Sequence, residues 1–255
     1  MALHYYFDDF PSIIAHRGLS AFAPENTQAS FILAAQHGFT WVETDIRLTK
    51  DQKAMVFHDA TLERTTNYSG YFSELSLKDA LTIDAGSWFS PRFSNQTIPS
   101  LEQLLDLAVK FKLGVNLEIK PNYQEDELTA EIIHQTLRAR KKNPPVLLSS
   151  YSVSALEVCQ KLRPRTPRAL VVDSFELNTP QEIISLTERL GCTSLHINKQ
   201  LVFTELIQLS HVAPFDLMCF TVNTKETAEQ CWSAGCVSVF SDNGLQEPVT
   251  GLNGA

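Results

Sequence analysis

The chain has no Cys-x-x-Cys pair, and its five cysteines, at 159, 192, 219, 231 and 236, are odd in number. That usage argues against a disulfide framework and a structural zinc site; it suits a reducing compartment, so a cytoplasmic location is expected. No apolar run approaches the roughly 18 residues that a membrane-spanning helix needs. The first ten residues carry Asp8 and Asp9 where an export signal carries a basic start and an apolar stretch. Basic residues are outnumbered: 21 Lys and Arg against 29 Asp and Glu give a net charge of −8. The densest basic stretch, Arg138-Ala139-Arg140-Lys141-Lys142, ends a helical pattern, where cations suit the negative end of the helix dipole. With no Lys/Arg stripe elsewhere, no nucleic-acid partner is expected. Nothing after the first strand-like run resembles Gly-x-Gly-x-x-Gly. No linker or low-complexity tract divides the sequence, so residues 1–255 are expected to form one domain.

What is present is a repetition. Short β-rich runs at Ser12–Ala15, Trp41–Asp45, Val115–Ile119, Val146–Ser149, Arg168–Val172, Ser194–Ile197, Leu217–Thr221 and Ser238–Ser241 read as strands. Between them, segments of helical period cover Glu25–His37, Leu101–Lys110, Asp126–Arg140, Val153–Lys161, Pro180–Leu190, Val202–His211 and Lys225–Ala234. Ser100, three residues before Gln103, and Thr179, ahead of Pro180, read as helix starts. Eight β/α units in one chain predict an α/β fold, a (β/α)8 TIM barrel. A doubly wound open sheet is the alternative, and it lacks its glycine-rich turn. About forty residues between His58 and Ser100 break the rhythm. They follow the second strand and so fall on the barrel face that carries active sites; an inserted subdomain at about 59–99 is expected there. Its aromatics, Trp88 and Phe89 among them, read either as a lid over a site or as a small core.

Strand alternation places the chemistry. Glu43 and Asp45 lie two residues apart and so share one strand face, as do Glu118 and Lys120. In a barrel strand that face is the axis, while Val42, Leu117 and Ile119 turn to the helices. Three carboxylates at one barrel mouth repel one another unless a cation is present. Oxygen donors without sulfur or a His cluster suit one hard divalent ion, Mg²⁺ or Ca²⁺, with Mn²⁺ also accepted. The competing reading is a salt-bridged strand with Glu118 paired to Lys120 or Arg47. His16 and His58 follow apolar runs and stand at strand exits. Two histidines there can supply one neutral and one protonated ring near neutral pH, the requirement for acid–base catalysis. Arg17 adds a fork suited to phosphate oxygens, and Gly18 allows close backbone approach. His4, His37, His134, His196 and His211 have no such company and read as structural, His196 least securely because it lies within a strand.

The ordered set His16-Arg17-Gly18, Pro24-Glu25-Asn26-Thr27, Glu43-Thr44-Asp45, His58-Asp59, Leu62-Glu63-Arg64-Thr65, Asp84-Ala85-Gly86-Ser87-Trp88, Glu118-Ile119-Lys120 and Thr221-Val222-Asn223 resembles the glycerophosphodiester phosphodiesterases. The resemblance runs from about residue 12 to 243 and is nearest to the cytosolic bacterial branch. It implies a TIM barrel with a small inserted subdomain and metal-dependent hydrolysis of glycerophosphodiesters, such as glycerophosphocholine or glycerophosphoethanolamine, to sn-glycerol 3-phosphate and an alcohol. It further implies His16 and His58 as the acid/base pair, Glu43, Asp45 and Glu118 as metal ligands, and Arg17 and Lys120 as phosphate contacts. A route through a cyclic phosphate, formed by glycerol's own 2-hydroxyl, follows from the same likeness. Two departures stand out: Phe220 replaces a common Trp on the pocket wall, and Ser241-Asp242-Asn243-Gly244 replaces Thr-Asp-x-Pro. Trp88, Phe89 and Phe220 are expected as substrate wall. A lysophospholipase D-type or phosphatidylinositol phospholipase C-like reaction is the alternative, disfavoured because no basic amphipathic helix for stable membrane association is visible. A non-enzymatic binder would not need all five histidine and carboxylate positions.

Overall fold

In the computed structural model, which describes residues 10–175, 178–210 and 213–246, eight parallel strands close into a ring. These are β1 (Ile13–Ala15), β2 (Trp41–Leu48), β4 (Gly114–Ile119), β5 (Val146–Ser150), β6 (Arg168–Val172), β7 (Ser194–Asn198), β8 (Asp216–Phe220) and β9 (Cys236–Ser241). β1 pairs with β9 through Ile13 and Val239, and with β2 through Ala15 and Val42. An open sheet has no such closing pair, so the barrel reading holds and the doubly wound alternative does not. Seven helices alternate with these strands among the described residues: α1 (Gln28–Gln36), α3 (Leu101–Phe111), α4 (Asp126–Ala139), α5 (Val153–Leu162), α6 (Pro180–Arg189), α7 (Glu205–Ser210) and α8 (Lys225–Ser233). Ser100 and Gln103 form a reciprocal capping box on α3, and Thr179 and Glu182 form another on α6. Among the described residues no helix is long and apolar enough to cross a membrane. His4, His211 and the first nine residues read above lie outside the described ones.

Period-two alternation divides each strand between two environments. Val42, Ile46, Val115, Leu117 and Leu148 face outward into one apolar cluster with α1, α3, α4 and α5. Leu170, Leu195, Ile197, Leu217 and Val239 face outward into a second, with α6, α7 and α8. The alternate set points to the axis. Its lower layer is an apolar plug of Ile14, Trp41, Leu147, Ala169, Met218 and Phe240, with the Phe10 ring tilted against Trp41 at 5.0 Å. Each of its Ile, Leu, Met and Phe side chains contributes about 1.5–3 kcal/mol when withdrawn from water. Above the plug the inward residues turn polar, and the cavity begins.

The stretch after β2 departs from the β/α rhythm in its first step. β2 runs two residues beyond its pairing with β4, and β3 (Ala54–Val56) folds back antiparallel on it, Ile46 opposite Val56 and Leu48 opposite Ala54. The run before His58 is therefore a return strand and not one of the eight. It brings the chain back to the level of Asp45, whose carbonyl accepts from the Phe57 N–H at 2.9 Å. Residues 57–100 then contain one short α-helix, α2 (Leu77–Ala80), capped by Ser76 and Asp79, and 3-10 turns at Phe72–Glu74 and Pro91–Phe93. They hold their own apolar cluster around Phe57, Leu62, Phe72, Leu75 and Ile98, with the Phe57 and Phe72 rings stacked at 4.8 Å.

Two helices begin later than their sequence patterns. α1 starts at Gln28, because Thr27 caps it and Asn26 takes a left-handed φ of +57°. That releases Glu25 and Asn26 to work elsewhere. α7 starts at Glu205 and not at Val202, because Lys199–Leu201 form a 3-10 turn closed by the Thr204 hydroxyl on the Leu201 carbonyl.

Candidate active site

The cavity above the plug has a volume of about 340 Å³. It is lined by His16, Arg17, Glu43, His58, Glu118 and Lys120 and, from the β5, β7 and β8 side, by Tyr151, His196, Asn198 and Phe220, with Lys120 Nζ 5.3 Å from the centre of the Tyr151 ring. Trp88 and Phe89, expected as wall, do not line it. Trp88 donates its indole N–H to the Ala85 carbonyl and meets Phe89 edge-on at 5.6 Å, and Phe89 meets Phe93 at 5.7 Å. These rings pack on one another, with Trp88 still 40% exposed, and stand outside both the cavity lining and the buried cluster that holds Phe57 and Phe72.

The exit of β1 is a tight reversal. Arg17 and Gly18 both take left-handed φ, +56° and +79°. A side chain at Gly18 would land on the Ser30 hydroxyl, so only glycine fits. The reversal aims the Arg17 N–H at Glu43 Oε2 (3.0 Å), while the Arg17 carbonyl accepts from the Asn26 N–H and the Ser30 hydroxyl, both at 3.0 Å.

Glu43 and Asp45 are 3% and 1% exposed, and with Glu118 they offer oxygens lying within 4.8 Å of one another. Burial, then the neighbouring charges of Asp45 and Glu118, push the Glu43 carboxyl well above its ordinary range. Its Oε1 is buried with no hydrogen-bond partner. Asp45 behaves in the opposite way. Burial works against its ionisation, but Arg17 (Nε at 3.5 Å), Lys120 (Nζ at 3.6 Å) and the Asn26 amide (2.9 Å) outweigh it and hold the carboxyl low. Glu118, raised by burial, pairs with Lys120 at 2.8 Å. The salt-bridged reading of Glu118 is thus present, through Lys120; Arg47 instead donates to the His58 carbonyl at 2.7 Å. Pairing is nonetheless incomplete, because Arg17 is shared with Glu25 at 2.9 Å. An orphaned buried oxygen in a set of three hard donors fits a divalent cation.

Both histidines are oriented from behind. His16 Nδ1 lies 2.7 Å from Asp242 Oδ1, and His58 Nδ1 lies 2.6 Å from Asp59 Oδ1. These two aspartates are held down to about 2, burial opposing and their histidine and other partners prevailing. An ionised carboxylate only accepts, so each Nδ1 carries the hydrogen and each Nε2 is the ring nitrogen left for proton transfer. His16 Nε2 stands 3.8 Å from Glu43 Oε2. Burial lowers the His58 pKa, with Arg17 and Lys120 adding to it.

Several of these partners carry no role in the sequence reading. Asp242 is 226 residues from His16 and meets it only because β9 closes on β1. Asn223 donates to Asp242 Oδ2 at 2.7 Å. Asp59 had a signal in its adjacency to His58. His196 is 2% exposed and faces the cavity from β7, its pKa lowered to about 3 by burial, so the ring is neutral.

Residues 16–244 match the Glycerophosphoryl diester phosphodiesterase family. A glycerophosphodiester phosphodiesterase of Caldanaerobacter subterraneus is 30% identical over 241 residues, covering 94% of this chain and 96% of its own. The structure of a phosphodiesterase of Oleispira antarctica in complex with the product sn-glycerol-3-phosphate superposes with a TM-score of 0.84 at 34% identity, covering 92% of this chain and 94% of that one. A glycerophosphodiester phosphodiesterase of Agrobacterium tumefaciens gives a TM-score of 0.73 at 25% identity over 92% and 98% of the two chains.

Proposed function

The chain belongs to the glycerophosphoryl diester phosphodiesterase family and is a phosphodiesterase of that class, and from this premise we propose how its own residues divide the work. The substrates are small headgroup diesters such as glycerophosphocholine and glycerophosphoethanolamine, and the products are sn-glycerol 3-phosphate and the free alcohol. Glu43, Asp45 and Glu118 hold one divalent cation, Mg²⁺, Ca²⁺ or Mn²⁺. When bound, that ion supplies Lewis acidity toward the phosphoryl oxygens and lowers the pKa of a hydroxyl. Arg17 and Lys120 meet the charge that builds on phosphorus. Glycerol's own 2-hydroxyl attacks, one histidine taking its proton at Nε2 while the other protonates the departing alcohol. Water then opens the cyclic phosphate as the two rings exchange roles. The carboxylates behind the Nδ1 atoms keep both rings in the tautomer that this exchange requires. A cytoplasmic setting belongs to the same reading, and the five buried free thiols suit it.

The observation that carries this reading is the convergence of two carboxylate-backed histidines on the cavity where three acids meet two cations. The test is a substrate panel, glycerophosphocholine, glycerophosphoethanolamine, lysophosphatidylcholine and phosphatidylinositol, assayed with and without chelator. The headgroup diesters should yield sn-glycerol 3-phosphate in a chelator-sensitive reaction. Faster turnover of either lipid, or turnover indifferent to chelator, would overturn it.

A further inference from the structure

The Leu62-Glu63-Arg64-Thr65 run has no part in the reaction above, yet Arg64 makes more charged hydrogen bonds than any group in the proposed site. Its Nε and Nη2 donate to Asp59 Oδ2 and Oδ1 at 2.6 and 3.0 Å. Its Nη1 and Nη2 donate to Glu25 Oε2 and Oε1 at 2.7 and 2.8 Å. Glu25 belongs to the loop between β1 and α1, whereas Asp59 and Arg64 belong to the stretch that follows β3. A planar guanidinium grips two carboxylates at once in this way, and an ammonium does not.

We propose that Arg64 is a positioning residue for His58. It pins Asp59 against the Nδ1 of His58 and uses Glu25 as the anchor on the barrel. Without it Asp59 keeps one partner, His58 itself, among its described charged contacts. Glu25 keeps Arg17 whether or not Arg64 is present. The effect therefore runs to the histidine and not to the phosphate side. An ordinary exposed ion pair is the competing account, for the Arg64 side chain is 45% exposed and such pairs contribute about 0–1 kcal/mol. Against it stand the low exposure of both acceptors, 12% and 23%, and the use of each by a second residue of the cavity.

The inference rests on the role given to His58 in the proposed function, and its test keeps the two apart. Arg64→Ala is assayed on glycerophosphocholine in the parent and in His58→Ala, alongside a crystal structure of the single variant. Loss of an orienting partner of this kind costs about 10–100-fold, here expected in kcat with KM little changed. In the His58→Ala background the same substitution should cost less than about twofold, because the group it positions is gone. The structure should show the Nδ1–Asp59 contact broken and the barrel unmoved. An equal loss in both backgrounds, a loss confined to KM, or an intact His58–Asp59 contact would overturn the proposal. Should the alanine variant fold poorly, Arg64→Lys keeps the charge, loses the two-sided fork and carries the same expectations. If the parent does not hydrolyse glycerophosphodiesters at all, it is the functional reading that fails, and the crystal structure still decides the positioning.

Discussion

A carboxyl held above its ordinary pKa by burial and by two carboxylate neighbours is a destabilising element, which the proposed cation would relieve. Glu43→Gln removes that repulsion without changing shape, so the metal-free protein should melt at least as high as the parent while turnover collapses. Asp45→Asn should also abolish turnover but melt lower, since Arg17 and Lys120 lose a buried partner. Thermal melts and kcat at limiting cation check both, and near-normal turnover in either would sink the cation site. Gly18→Ala, forced to φ +79° against Ser30, should cost about 1–3 kcal/mol in a denaturant melt. The carboxylates and both histidines were legible in the sequence because period-two alternation and strand exits fix where such side chains point. Asp242 was not, because its partnership exists only through ring closure, and Arg64 was not, because a fork bridging two loops leaves no spacing signal.

Among the elements, six of the eight barrel strands were legible to within a residue at each end, whereas β2 runs three residues past its apparent end, where it pairs with β3, and β9 starts two residues early. β3 was misread: three residues that read as an ordinary exit strand, with nothing local to say that they reverse on β2. The helix starts erred where polar residues at the ends of the pattern serve loops, as Glu25 and Asn26 do. The stretch between β3 and α3 separates two kinds of aromatic. Phe72, fully buried in its own cluster, should cost about 3–5 kcal/mol on truncation to Ala. Trp88→Ala should leave the ranking of substrates unchanged, because the ring is away from the cavity. A steady-state comparison across the substrate panel, paired with melts, checks the contrast; a reordered ranking for Trp88→Ala would restore the lid.

At the scale of the whole molecule, opposed carboxyl shifts shape the response to pH. Glu43, its pKa raised on folding, holds a proton that the unfolded chain releases. Its contribution is present below the ordinary glutamate value of about 4.3 and is lost as pH rises through the folded value. Asp45, Asp59 and Asp242, lowered on folding, contribute above about 3.9, and that contribution is lost as pH falls through their folded values. At the proposed site, a cation would have to expel the Glu43 proton to bind, so the rise in Tm on adding Mg²⁺ should be larger near about pH 8 than near about pH 5. Equal shifts at both would contradict it. The apolar plug has a consequence for traffic. With Ile14, Trp41, Leu147, Met218 and Phe240 filling the lower barrel, the cavity is a well with a floor, and nothing passes through it. Substrate and both products share the upper opening, so whichever product lingers bars the next arrival. A product that stays in such a well competes with the next substrate for the same space, so added sn-glycerol 3-phosphate should act as a competitive inhibitor in initial-rate assays.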